Sequence, residues 1–154
     1  MDAIINSNLI ELKINGNNKE TAIRELAKLI DNENRLNDYD DYIEEVLRRE
    51  GLTSTGIGYG IAIPHGKCKA VKVPTVAFGR LCSEIEWESL DDKPIKIIFL
   101  LAVPESCASN DHLKILAALS RKLMYEDFRN QLLEIDDKDK LLQLLSETLK
   151  DVLN

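Results

Sequence analysis

The sequence predicts an α/β fold, and three stretches carry that prediction. Ile95 to Val103 is nearly continuous in apolar residues, the pattern of a central strand buried on both faces. Leu9 to Ile14 instead alternates, with Ile10, Leu12 and Ile14 set against Leu9, Glu11 and Lys13, which suits a half-buried strand. Between them, from Thr21 and again from Tyr39, apolar residues recur at helical spacing.

The elements follow in chain order. After the first strand, Asn15-Gly16-Asn17-Asn18 is turn chemistry, and Asn18 is placed to cap a helix. That helix carries Ala22, Ile23, Leu26, Ala27, Leu29 and Ile30 on its apolar side and breaks at Asp31 to Asn34. Asn37 is the expected cap of the second helix, with Asp38 and Asp40 offsetting the positive end of its dipole. Its stripe is Tyr39, Tyr42, Ile43, Val46 and Leu47, and Gly51 is the expected stop. Arg48 and Arg49 fall in its last turn, where cations suit the dipole, and a solvated helix end accounts for Arg48. The hydroxyls of Thr53-Ser54-Thr55 satisfy turn backbone or contact phosphate oxygens.

Ile61 to Ile63 reads as a short buried strand ending at Pro64. Lys67 and Lys69 are expected to be exposed, and Val71 to Arg80 reads as a further strand. Ser83 to Asp92 holds the single tryptophan, Trp87, in a polar stretch expected to be loop or hairpin. Pro104 closes the central strand, Ser106 to Asn110 forms a loop, and Ser109 or Asn110 caps a helix running to Met124. Leu113, Leu116, Ala117, Leu119, Ser120 and Leu123 are its expected inner face. Helices over Glu126–Glu134 and Asp139–Leu149 complete the list, the last capped by Asp136 or Asp137. No repeat, linker or low-complexity segment divides residues 1–154, so one domain is expected.

Composition narrows the function. The 154 residues are 44% hydrophobic and 31% charged, enough for one globular core. A net charge of −7, with no basic block longer than Arg48-Arg49, argues against a nucleic-acid binder. No apolar run has the length of a membrane span, and no leader pattern opens the chain, so direct membrane insertion and secretion are disfavoured. Cys68, Cys82 and Cys107 are odd in number and lack close pairing, which reads as reduced thiols in a cytoplasmic protein.

The stretch Gly56-Ile57-Gly58-Tyr59-Gly60-Ile61-Ala62-Ile63-Pro64-His65-Gly66 is the most informative in the chain. Glycines at alternate positions bring backbone close to something, and the apolar triplet leads straight to His65, one of two histidines. A histidine at a strand end among small neighbours suits group transfer. Nucleotide motifs fail here: the P-loop spacing puts Ile61 and Cys68 where glycine and Ser/Thr are required. A dinucleotide fingerprint would also need glycine at Ile61. His65 and Cys68 have metal-like spacing but no second ligand pair, so no metal or other cofactor is expected.

The run Glu50…Ile57-Gly58…Ile61-Ala62-Ile63-Pro64-His65-Gly66 resembles the phosphorylation-site signature of the fructose/mannitol class of enzyme IIA. These proteins are components of the bacterial sugar phosphotransferase system. Val76-Ala77-Phe78-Gly79-Arg80, Phe99-Leu100-Leu101-Ala102-Val103-Pro104 and His112-Leu113…Leu119-Ser120-Arg121 resemble the same family in the same order, so the likeness spans nearly the whole chain. It implies a mixed sheet of roughly four to six strands with helices on both faces. It also implies that His65 takes a phosphoryl group from the histidine-containing phosphocarrier protein and passes it to a cysteine of an enzyme IIB domain. In that family Nε2 carries the phosphate while a backbone hydrogen bond holds Nδ1. Arg49, just before Glu50, resembles the family's active-site arginine, and His112 its second active-site histidine.

The chemistry is consistent with those roles. A neutral imidazole is a good nucleophile near neutral pH. Phosphoryl transfer spreads charge over three oxygens, so positioning and fixed positive charge do most of the work. Arg49 offers a fork of donors suited to phosphate. His112, in the first turn of its helix, sits where an anion is favoured, and glycine N–H groups add a further cradle. Two readings stay open: a sugar-uptake carrier, which would work beside a membrane permease complex, or a nitrogen-type regulatory enzyme IIA that binds regulatory partners. Val76 to Val103 resembles the fructose type more closely. A non-catalytic interaction fold is disfavoured by the joint presence of Arg49, His65 and His112.

Overall fold

The computed structural model describes residues 3–106 and 111–150. Its first strand, β1 (Ile10–Ile14), follows a short 3-10 turn and leads into α1 (Lys19–Asn32). Asn18 caps α1 reciprocally: its side chain accepts from the Thr21 N–H, and the Thr21 hydroxyl reaches back to the Asn18 N–H. The second helix, α2 (Tyr39–Leu52), is followed by three short strands, β2 (Gly56–Gly58), β3 (Ile61–Ala62) and β4 (His65–Cys68). Two long strands follow, β5 (Thr75–Ile85) and β6 (Ile95–Pro104). Three helices complete the described chain: α3 (Asp111–Leu123), α4 (Glu126–Glu134) and α5 (Lys138–Leu149).

The six strands form one mixed sheet in the order β1-β5-β6-β3-β2, with β4 also pairing β6. As its apolar run predicts, β6 is central, antiparallel to β5 and parallel to β3 and β4. Two consecutive residues of β5 show how both faces are covered. Gly79 lies under α1, where a Cβ would meet Leu26 and Ile14. Arg80 points the opposite way, and its guanidinium donates to the carbonyls of Leu132 and Ile135 at the end of α4. The fold is therefore α/β, with a mixed sheet between two helical layers.

Several local expectations are corrected. Asp38, not Asn37, caps α2 by accepting from the Asp41 N–H, because the Asn37 amide is committed to the Lys69 carbonyl. Gly51 does not stop α2, which runs on to Leu52 and ends where Thr53 turns extended. The strand expected from Val71 begins only at Thr75 and continues to Ile85, so Ser83 to Ile85 belong to it. Trp87, expected in a polar stretch, is fully buried. Leu113, Ala117 and Ser120 lie on the exposed side of α3, and Ile115, Ala118, Leu119 and Leu123 face inward. Asp137 caps α5 through the N–H groups of Asp139 and Lys140. The expected cap at Ser109 or Asn110, and Cys107, lie outside the described residues.

Candidate functional site

The glycine-rich stretch folds as a tight hairpin followed by an interrupted strand. β2 pairs antiparallel with β3, and both turn residues, Tyr59 (φ 60) and Gly60 (φ 76), occupy the left-handed region. That is the backbone of a two-residue hairpin turn whose twist matches the strands. Tyr59 is an unusual occupant, and its exposed ring is covered by the Arg129 guanidinium at 4.1 Å.

The expected strand does not end at Pro64. β3 and β4 both pair with β6, and the offset is the same in each: Ile61 faces Ile97, and His65 faces Leu101. The two segments are one strand alongside β6, interrupted at Ile63 and Pro64. Proline has no N–H to offer the ladder, although its carbonyl still accepts from the Leu101 N–H at 3.0 Å. The Ile63 carbonyl is taken by a side chain instead: Nδ1 of His65 lies 3.1 Å from it. His65 thus stands where the strand resumes, half-buried, and not at its end.

That contact fixes the tautomer. A carbonyl oxygen can only accept, so Nδ1 carries the proton and the lone pair of the neutral ring is on Nε2. The backbone on either side is held tightly. Gly66 packs under α2, where a Cβ would come within 2.9 Å of Val46 and 3.1 Å of the Tyr42 ring. The Tyr42 hydroxyl donates to the carbonyl of Leu101, the residue facing His65, at 2.7 Å. Burial pushes the Tyr42 phenol well above its ordinary pKa, so it remains a donor.

Arg49 lies one turn beyond Val46 on α2, so it and His65 come from elements packed directly against each other. It is half-buried, and its guanidinium donates to the Thr53 carbonyl at 2.9 Å, which holds the arginine at the helix end. His112 falls in the first turn of α3, which packs on β6, and its side chain lies outside the described residues. Cys68 is half-buried on β4, and burial raises its thiol, which disfavours the thiolate a nucleophile needs.

Sequence reasoning placed Tyr42 on an apolar stripe, gave the Thr55 hydroxyl to turn backbone or phosphate, and quoted Glu50 only as the start of the signature, without linking the three to His65. A signal for Glu50 was present: the apolar stripe Tyr42, Ile43, Val46, Leu47 reaches residue 50 at the next helical step. A carboxylate on a core-facing position must find partners. Here Glu50 is 6% exposed and accepts from the Thr55 N–H at 2.9 Å, the Thr55 hydroxyl and the Lys19 ammonium at 3.2 Å.

Known proteins are similar to this chain in sequence and in fold. The chain is 44% identical to the fructose-specific EIIA component of the PTS system from Haloferax volcanii over 142 residues, 92% of each chain. It is 40% identical to the fructose-specific EIIABC component of Bacillus subtilis, covering 94% of this chain and 22% of that protein. Among solved structures, the nitrogen regulatory protein IIA-Ntr of Neisseria meningitidis superposes with a TM-score of 0.84 at 32% identity, covering 92% of this chain and 96% of that one. Residues 3–148 match the model of the EIIA 2 family of the phosphoenolpyruvate-dependent sugar phosphotransferase system. The chain therefore belongs to that family, whose members are phosphotransferases that work through a phosphohistidine.

Proposed function

We propose that this protein is a phosphoryl carrier for sugar uptake, of the fructose type, with His65 as the residue phosphorylated on Nε2. The observation that carries the reading is the Nδ1 contact to Ile63, which leaves the nucleophilic lone pair on the other ring nitrogen. The donor is the histidine-containing phosphocarrier protein. Nε2 attacks its phosphoryl phosphorus in line, an N–P bond forms on His65, and the donor's own N–P bond breaks. The group then passes to a cysteine of an enzyme IIB domain. Arg49 and His112 stabilise the charge that spreads over the phosphoryl oxygens. The occurrence of an EIIABC relative supports an enzyme IIB acceptor, and the 44% identity to a fructose-specific EIIA component supports the sugar class.

A second reading, regulation through phosphorylation-dependent binding, is favoured by the likeness to IIA-Ntr. The relay reading places the protein on the cytoplasmic side of a permease. In keeping with that, no helix among the described residues is long and apolar enough to cross a membrane.

Incubation with phosphoenolpyruvate, enzyme I and the phosphocarrier protein tests the relay. Acid-labile, alkali-stable phosphate is expected on the wild type and none on His65→Ala. An unlabelled wild type overturns the reading. Adding enzyme IIB domains separates transport from regulation: discharge onto a fructose-type IIB is expected, and failure to discharge onto any IIB favours the regulator. His112→Ala should slow this discharge more than it blocks labelling.

A further inference from the structure

Glu50 is buried, with too little exposed surface to serve as a contact for a partner protein, yet it sits at the head of a hydrogen-bond chain that ends on the His65 ring. Its carboxylate accepts from both the N–H and the hydroxyl of Thr55. The Thr55 carbonyl accepts from the Ile63 N–H at 3.0 Å, and the Ile63 carbonyl accepts from His65 Nδ1. Both polar groups of Ile63 are therefore committed, one to Thr55 and one to the imidazole. Lys19 closes the other end, pairing with Glu50 while its ammonium lies 5.2 Å from the centre of the buried Trp87 ring.

The ladder gap at Ile63 and Pro64 explains why this chain matters. Elsewhere along this strand, pairing with β6 sets the peptide planes, but the N–H and carbonyl of Ile63 go to Thr55 and His65. Its orientation depends on Thr55, and Thr55 is anchored by Glu50. We infer that Glu50 is a positioning residue for His65, aiming the Ile63 carbonyl so that the imidazole is held as the Nδ1–H tautomer in the transfer geometry. The inference rests on the proposed role of His65 for its kinetic consequence. Its structural consequence, the tautomer, stands independently of any phosphoryl chemistry.

The test compares Glu50→Ala, Glu50→Gln, Thr55→Val and Thr55→Ser in the full chain. The ¹⁵N shifts of the His65 ring at mildly alkaline pH report the tautomer, and rapid-quench labelling by the phosphorylated phosphocarrier protein reports transfer. Wild type should be mostly Nδ1–H. Glu50→Ala and Thr55→Val should shift the ring toward a mixture and slow maximal transfer by about tenfold, the scale of a small misplacement of a reacting group. The KM for the phosphocarrier should not change, because Glu50 and Thr55 are both buried. Glu50→Gln and Thr55→Ser, which keep an acceptor and a hydroxyl, should restore most of the Nδ1–H population.

A merely structural role would lower the melting temperature and leave the tautomer as it is in wild type. Folded Glu50→Ala with wild-type ring shifts overturns the inference, as does a change confined to KM. Should Glu50→Ala fail to fold, Thr55→Val, which deletes one hydroxyl, decides on the same readouts. An unlabelled wild type would defeat the relay reading, while the ring shifts would still decide the role of Glu50.

Discussion

At the scale of single residues, the site depends on how little space surrounds Gly66, the neighbour of His65. Gly66 is glycine because α2 lies on it: the nearest atom to an added Cβ is Val46 Cγ2 at 2.9 Å, with the Tyr42 ring behind it. Valine is stiff at χ1 and cannot swing away cheaply. Gly66→Ala should therefore lift α2 from β4, costing about 1–3 kcal/mol by overpacking. Because Arg49 lies one turn past Val46, the same shift should slow phosphorylation of His65 in the fraction that stays folded. Denaturant melts and labelling kinetics on one sample check both effects. A variant as stable and as fast as wild type would show that α2 is not what positions this strand.

The elements are joined by side chains as much as by packing. α4 ends without a glycine, and its last carbonyls are satisfied by Arg80 from the sheet, which donates to Leu132 at 2.7 Å and Ile135 at 2.6 Å and pairs with Asp136 at 3.1 Å. A cation at a helix C-terminus is also favoured by the dipole. Arg80 is only 8% exposed, so its loss cannot be made good by water. Arg80→Met should cost about 2–3 kcal/mol, the range for charge-assisted hydrogen bonds with buried acceptors left unpaired. Hydrogen exchange should show amides at the end of α4 opening first, ahead of those in β6. Uniform loss of protection across the sheet would mean that Arg80 is a core residue and not a helix cap.

For the whole molecule, the buried Tyr42 links helix, sheet and pH. Its phenol is raised by desolvation and donates to Leu101 in the central strand. A group whose pKa is higher in the folded state contributes stability that is complete below its unfolded pKa and is lost as pH rises. For a phenol that loss begins near pH ~10. Tyr42→Phe should cost about 1 kcal/mol at neutral pH for the missing hydrogen bond. It should also decline less steeply than wild type in the alkaline range, as read by urea unfolding at stepped pH. Parallel declines would assign the alkaline sensitivity to other groups.

Much of the fold was legible locally. The continuous apolar run of β6, the cap at Asn18 and the helix over Glu126–Glu134 each follow from short-range pattern, and the structure has them there. Boundaries failed where a distant partner intervened. Asn37 is a good cap by composition, but the Lys69 carbonyl, 32 residues away, claims its amide. Trp87 sits among charges in sequence and is buried through contacts that no local window contains. The site divides in the same way. His65, Arg49 and His112 could be named from a signature, and α3 does place His112 in its first turn.

Residue order alone determined the α/β class, most of the elements and the histidine at the end of the glycine-rich stretch, because periodicity and turn chemistry act over a few residues. Only the tertiary structure decided that two short strands are one interrupted strand on β6 and that a buried carboxylate stands behind the histidine's backbone. Register and the pairing of buried polar groups are set by whichever segments meet in space. That information is spread over the whole chain and cannot be read from any one stretch of it.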